Sequence, residues 1–175
     1  MISKAEAAQE LLNRRRARES FIDFNKYVYP NYEYPWHVQK LCDTLESVER
    51  GEIKRLMINM PPRHSKSAHA SVLFPAWFLG RHPEKLVVQA GYSADISQKQ
   101  SMDCRRIVTT PEYDKLFPNL TKKLTKDLDT RKSIREWQTH QGGSYYACGV
   151  GGALTGRGTD LLIIDDPIKN REEAN

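Results

Sequence analysis

Only three cysteines stand among the 175 residues, Cys42, Cys104 and Cys148. They lie far apart, and without a C-x-x-C pair or further ligands nearby they do not make a closed zinc site; buried reduced thiols are expected. No apolar run approaches the roughly 20 residues that span a bilayer. The first residues, "MISKAEAAQELLNRRRARES", contain no apolar centre and no small-residue cleavage site, so no signal peptide is read and no export route is expected. Mean hydropathy is −0.66. With 39% hydrophobic and 28% charged residues the composition does not match a disordered chain. The net charge of +5 and pI near 9.1 tolerate a polyanionic partner without requiring one. A cytosolic setting fits these features. The length suffices for one domain with a real core.

Helical residues dominate from Lys4 to Tyr29, with Leu11, Leu12, Phe21, Ile22 and Phe24 as the apolar members. Arg14, Arg15, Arg16 and Arg18 cluster inside this stretch, either a solvated helix face or a DNA contact. The turn-rich "YPNYEYPW" follows. A second helix is predicted over "WHVQKLCDTLESVERGE", apolar at Val38, Leu41, Leu45 and Val48 and ended by Gly51. A strand "RLMINM" comes next, then a polar loop and a helix from about Ser67 that Pro75 must kink or end. "EKLVVQAGY" reads as a buried strand and "SADISQKQSMDCRRIVTT" as a helix with Ser93 at its N-cap. "PEYDKLFPNLTKKLTKDLDTRKS" is expected to be irregular. "IREWQTH" and "SYYACGV" read as two short strands around Gly142-Gly143, and "LLIIDD" as a strand ending in two carboxylates after the glycine-rich "GVGGALTGRGTD". Strands alternating with helices predict an α/β fold with a mostly parallel central sheet flanked by helices.

A strand, a tight loop, Lys66-Ser67 and a helix form the layout of a phosphate-binding loop. The signature G-x-x-x-x-G-K-S/T places glycines where Met60 and Ser65 stand here. A helix N-terminus offers unpaired N–H groups and the positive dipole end; lysine adds charge for the β- and γ-phosphates, and the serine hydroxyl can join a Mg²⁺ shell. The alternative is a chance Lys-Ser after a strand. If Ser65 must take left-handed geometry, the penalty is on the order of 1–2 kcal/mol. Asp165 and Asp166 strengthen the first reading, because ligands bind at the carboxyl edge of parallel strands. Asp165 would hold Mg²⁺ through water, and Asp166 stands where a water-polarising glutamate is common; the bland alternative is that both cap the loop before Pro167. Arg157, between Gly156 and Gly158, is a candidate arginine finger or a loop residue paired with Asp160, and Arg63 is its rival for sensing the γ-phosphate. Tyr34 or Trp36 could stack on a base whose edge Gln39 reads, or could pack in the core. His37 and His64 lack metal-ligand spacing.

"PWHVQKLCDTLE", "INMPPRHSKS", "FPAWFLGRHPEKLVVQAGYSADIS" and "REWQTHQGGSYYACGVGGALTGRGTDLLIIDDPIKNREEA" resemble the ATPase domain of phage terminase large subunits, the motors that package double-stranded DNA into procapsids. The resemblance runs from about Phe21 to the end of the sequence. It implies a P-loop NTPase of the ASCE type, with residues 1–30 an N-terminal helical segment and residues 31–175 a partial ATPase domain that stops after its Walker B strand. It implies ATP and Mg²⁺ as cofactors. By the resemblance Lys66 and Ser67 would bind phosphate and magnesium and Gln39 would contact the adenine; from the residues themselves, Pro62, Arg63, His64 and Ser65 are expected in the same loop around the phosphates and Trp36 at the base. Ser67 and Asp165 would hold the metal, and Asp166 would position water. Arg157 would act as the finger on a neighbouring subunit's ATP. The partners implied are DNA phosphates, the portal protein, the small terminase subunit and further copies in a ring, in the host cytoplasm and transiently docked on the procapsid portal. The rival readings are another P-loop ATPase, of helicase type, and a truncated prophage remnant without turnover.

Overall fold

The computed structural model describes residues 3–118, 120, 134–151 and 158–168. Helix α1 spans Lys4–Glu19 and opens on a capping box: Glu6 N–H donates to the Ser3 hydroxyl and Ser3 N–H to the Glu6 carboxylate. The single helix predicted from Lys4 to Tyr29 is two, because Ser20 leaves helical geometry (φ −122°, ψ 131°) and caps a second helix, α2, Phe21–Val28. Glu46 holds the break, accepting from the Ser20 hydroxyl at 3.1 Å and from Phe21 N–H at 2.6 Å. The turn at Ser20 lets Phe21 and Phe24, both fully buried, face the core beside Trp77 and Tyr113.

Helix α3, Trp36–Glu49, buries Val38, Leu41, Cys42 and Leu45 along one stripe, and Gly51 follows its end at φ 75°. "RLMINM" is not a strand of the sheet. Ile58 and Met60 pack inward while Met57 is exposed, the alternation a strand requires, but residues 56–60 take no strand assignment and are not part of the sheet. The helix after the loop begins at Lys66, winds as a π-helix over Ala68–Leu73, and continues as α4, Phe74–Arg81. Phe74 N–H reaches back five residues to the His69 carbonyl. Pro75 follows directly on the π-helical winding, and the helix does not end there but runs on to Arg81.

Strand β1 is Leu86–Gly91, helix α5 Ala94–Val108 with Ser93 as its cap, and α6 Pro111–Leu116, a short helix inside the segment predicted to be irregular. Strands β2 (Glu136–Gln138), β3 (Ser144–Gly149) and β4 (Leu161–Asp165) complete an open mixed sheet ordered β2-β3-β1-β4. Strands β3 and β4 both run parallel to β1, and β2 pairs antiparallel with β3 as the predicted hairpin. Gly143 packs where a Cβ would lie 2.4 Å from the Pro83 carbonyl oxygen. One face of the sheet, carrying Val87, Tyr145, Ala147 and Leu161, joins the helices in the main core, which includes α1 and α2 residues; Val88, Ala90, Tyr146 and Cys148 form a second cluster on the other face. Among the described residues no helix is long and apolar enough to cross a membrane.

Candidate functional site

The register of β4 against β1 decides where the carboxylates go. Gly91 lies beside Asp165, so the carboxyl ends of the two strands finish together, and Tyr92 N–H donates to the Asp166 carbonyl just beyond. Asp165 points toward the helical side of the sheet with Gln89 and is 6% exposed; Asp166, at φ 44°, turns outward and its side chain is 69% exposed. Lys66 arrives from the opposite direction at the start of its helix. Its ammonium donates to Asp165 Oδ1 at 2.9 Å and to Asp166 Oδ1 at 2.6 Å.

Burial works against the Asp165 carboxylate, but hydrogen bonds from Lys66 and Ser67 and the lysine charge outweigh it, so its pKa falls below the ordinary value. Burial likewise opposes the Lys66 charge and is outweighed by the hydrogen bonds to Asp166 and Asp165, which raise its pKa. Both groups therefore favour their ionised forms. Asp165 Oδ2 accepts from Ser71 Oγ at 3.1 Å and from Gln100 Nε2 at 2.7 Å. Sequence reasoning missed Ser71 and Gln100. Neither belongs to a motif, and only the fold brings α5 and the π-helix to the end of β4.

The loop before Lys66 does what its missing glycine threatened. Ser65 stands at φ 63°, and so does Arg63. The Ser65 carbonyl accepts from His69 N–H at 3.1 Å, and the His69 ring Nδ1 lies 2.9 Å from the same oxygen. A carbonyl cannot donate, so Nδ1 carries the proton. Burial pushes the pKa of His69 down, which keeps the imidazole neutral. The Ser65 hydroxyl meets the Tyr32 hydroxyl at 2.7 Å. A buried imidazole one helical turn on thus anchors the left-handed residue from beneath.

The remaining expected residues divide. His64 folds back on the Pro62 carbonyl at 2.9 Å and its ring lies 5.5 Å from that of His37. With Arg63, Tyr32, Glu33 and Pro35 these histidines line a polar pocket of about 290 Å³ beside the loop. Trp36 is 78% exposed and packs in no core, while the Gln39 amide donates to the Tyr34 carbonyl at 2.7 Å. A larger apolar cleft of about 750 Å³ opens between the tyrosine linker and α5; Tyr34 lines it, and Trp36 and Gln39 do not. Arg157 lies outside the described residues.

Among the described residues no group of three or more His, Cys, Asp or Glu forms a metal cage. A Mg²⁺ ion bound with a nucleotide does not need one, since it uses one or two carboxylates, hydroxyls, waters and phosphate oxygens. Two carboxylate oxygens converging on one ammonium, with Ser67 beside them, form a donor set suited to that use. In comparisons with known proteins, no family model, curated protein or solved structure matches this chain.

Proposed function

We propose that this chain carries the ATP-hydrolysing site of a DNA-packaging motor of the phage terminase large-subunit kind. The observation that supports it most is the meeting of Lys66 with Asp165 and Asp166, residues about a hundred positions apart, at the carboxyl end of a parallel strand. In this reading the loop from Pro62 to Ser67 cradles the phosphates, and Lys66 exchanges its carboxylate partners for phosphate oxygens. Ser67 and Asp165 hold Mg²⁺, which neutralises phosphate charge, and Asp166 orients the attacking water. Arg63 or Arg157 supplies positive charge at the γ-phosphate, Arg157 reaching a neighbouring subunit in a ring. Trp36 offers a flat face to the base. DNA is held through its phosphates and without sequence preference. The portal protein and small terminase subunit are the partners of such a motor, working in the host cytoplasm at the procapsid.

The test is calorimetry of a non-hydrolysable ATP analogue with Mg²⁺, on this chain and on Lys66→Ala. Losing a charge-assisted contact lowers affinity at least about tenfold; equal affinities remove the assignment. Arg157→Ala is expected to slow turnover strongly while binding changes little. A second reading, nucleotide binding without turnover, is favoured by Asp166, whose short and exposed side chain is engaged with Lys66. Single-turnover hydrolysis separates the two, and DNA-unwinding activity would favour a helicase-type motor instead.

A further inference from the structure

The carboxylate of Asp165 is held in one orientation by a polar relay through the sheet–helix interface. Gln89, fully buried on β1, faces α5 from the same side of the sheet as Asp165. Its Nε2 donates to Gln100 Oε1 at 2.7 Å, and Gln100 Nε2 donates to Asp165 Oδ2 at 2.7 Å. The direction of this chain is dictated by chemistry. An ionised carboxylate only accepts, so Gln100 must present its NH₂ to Asp165 and its carbonyl to Gln89. Gln89 must then present its own NH₂, which leaves Gln89 Oε1 buried without a partner. An unpartnered buried carbonyl is unfavourable, because it gives up its bonds to water for nothing in return. A glutamine pair kept for packing alone would carry that penalty for nothing; apolar residues of similar size would fill the space without it.

Ser71 adds a second donor to the same oxygen. Oδ2 is therefore occupied by donors from α5 and the π-helix, and Oδ1 is the oxygen that meets Lys66. We propose that Gln100, oriented by Gln89 and assisted by Ser71, is the positioning residue that presents Asp165 Oδ1 to the divalent cation of the bound nucleotide. The proposal rests on the nucleotide reading above. In this proposal Gln100 acts through Asp165, as hydrogen-bond partners of metal ligands generally do, with effects of roughly 10–100-fold on affinity.

The experiment measures the affinity of a non-hydrolysable ATP analogue in EDTA and in Mg²⁺, for the parent chain and for Gln100→Met, Gln100→Glu and Ser71→Ala. The ratio of the two affinities is the gain due to the cation. Gln100→Met keeps length and volume but cannot donate; it is expected to reduce the gain about tenfold, the loss with Mg²⁺ exceeding any loss in EDTA. Gln100→Glu places a second negative charge against Oδ2 and is expected to reduce it further. Ser71→Ala leaves one donor and gives a smaller loss. Paramagnetic resonance of Mn²⁺ with the analogue supplies a readout independent of calorimetry, with the same order of variants expected. A folded Gln100→Met that retains the parent's gain overturns the proposal and leaves the nucleotide reading standing. Equal loss of affinity with and without Mg²⁺ also overturns it, since that is the mark of a general structural role. A parent chain that binds no analogue overturns both.

Discussion

At Ser65 the chain uses a residue with a Cβ where the phosphate-loop signature has glycine, and the backbone still adopts φ 63°. The His69 ring and backbone bind the Ser65 carbonyl, and Tyr32 meets its hydroxyl, so neighbouring groups hold a conformation that glycine would reach unaided. Comparing Ser65→Gly with Ser65→Ala isolates the backbone term, because both lose the hydroxyl. The glycine variant is expected to be more stable by about 1 kcal/mol in urea unfolding. Equal stabilities would mean that the loop relaxes around the alanine. Arg63 and Asp166 are also left-handed at this site, and aspartate tolerates that region better than most residues. The sequence made the Ser65 question visible through its alignment on Lys66. It could not name His69, which looks like any lone histidine until a helical turn places it under the loop.

Helices and strands formed largely where periodicity put them, and the departures share a cause. The break at Ser20 depends on Glu46, 26 residues away, and whether "RLMINM" joins the sheet depends on pairing with a distant strand, which it does not make. Local pattern cannot report either partner. A second long-range tie joins α3 to the end of α4. The Glu49 carboxylate, 4% exposed, accepts from Arg81 Nε at 2.7 Å and lies 2.7 Å from His82 Nε2. Burial raises its pKa, but the hydrogen bonds from Arg81 and His82 outweigh that and leave it below the ordinary glutamate value. The unfolded chain therefore binds this proton more readily. The contribution is fully present above pH 4.5 and is lost as pH falls from there through the folded-state value. Glu49→Gln is expected to lower stability at pH 7 by about 1.5 kcal/mol, less than a fully buried pair would, because Arg81 is partly exposed. Its difference from the parent should shrink in urea titrations carried below pH 4. At the hairpin, Gly143→Ala would force a Cβ against the Pro83 and Lys85 carbonyls, 2.4 and 2.6 Å away. Backbone cannot yield as a side-chain tip does, so a loss of at least about 2 kcal/mol is expected, read as a lower thermal midpoint.

Across the whole molecule, the main core lies between one face of the sheet and the helices, and the candidate site lies at the end of that sheet. Phe21, Phe74 and Trp77 touch one another at its centre, with ring centroids 5.4–6.4 Å apart. Trp77→Ala would remove a side chain that is 1% exposed and also its hydrogen bond to the Ala17 carbonyl. The expected loss of about 3–5 kcal/mol is a large share of the roughly 5–15 kcal/mol that holds a domain together, so circular dichroism should find a much lower unfolding midpoint. The open side of β4 is different in character: Leu162 and Ile164 are exposed there, on the face opposite the main core. The sequence by itself determined the α/β class, most element positions, the hairpin at Gly142-Gly143 and the nomination of Lys66, Asp165 and Asp166. Those follow from side-chain period, turn chemistry and charge, all of which act between near neighbours along the chain. Only the tertiary structure decided that Lys66 reaches both carboxylates, that Gln100 reaches Asp165 and is met in turn by Gln89, and that residues 56–60 stay out of the sheet. Such contacts join residues tens of positions apart, and they exist only once hydrophobic burial has brought the elements together.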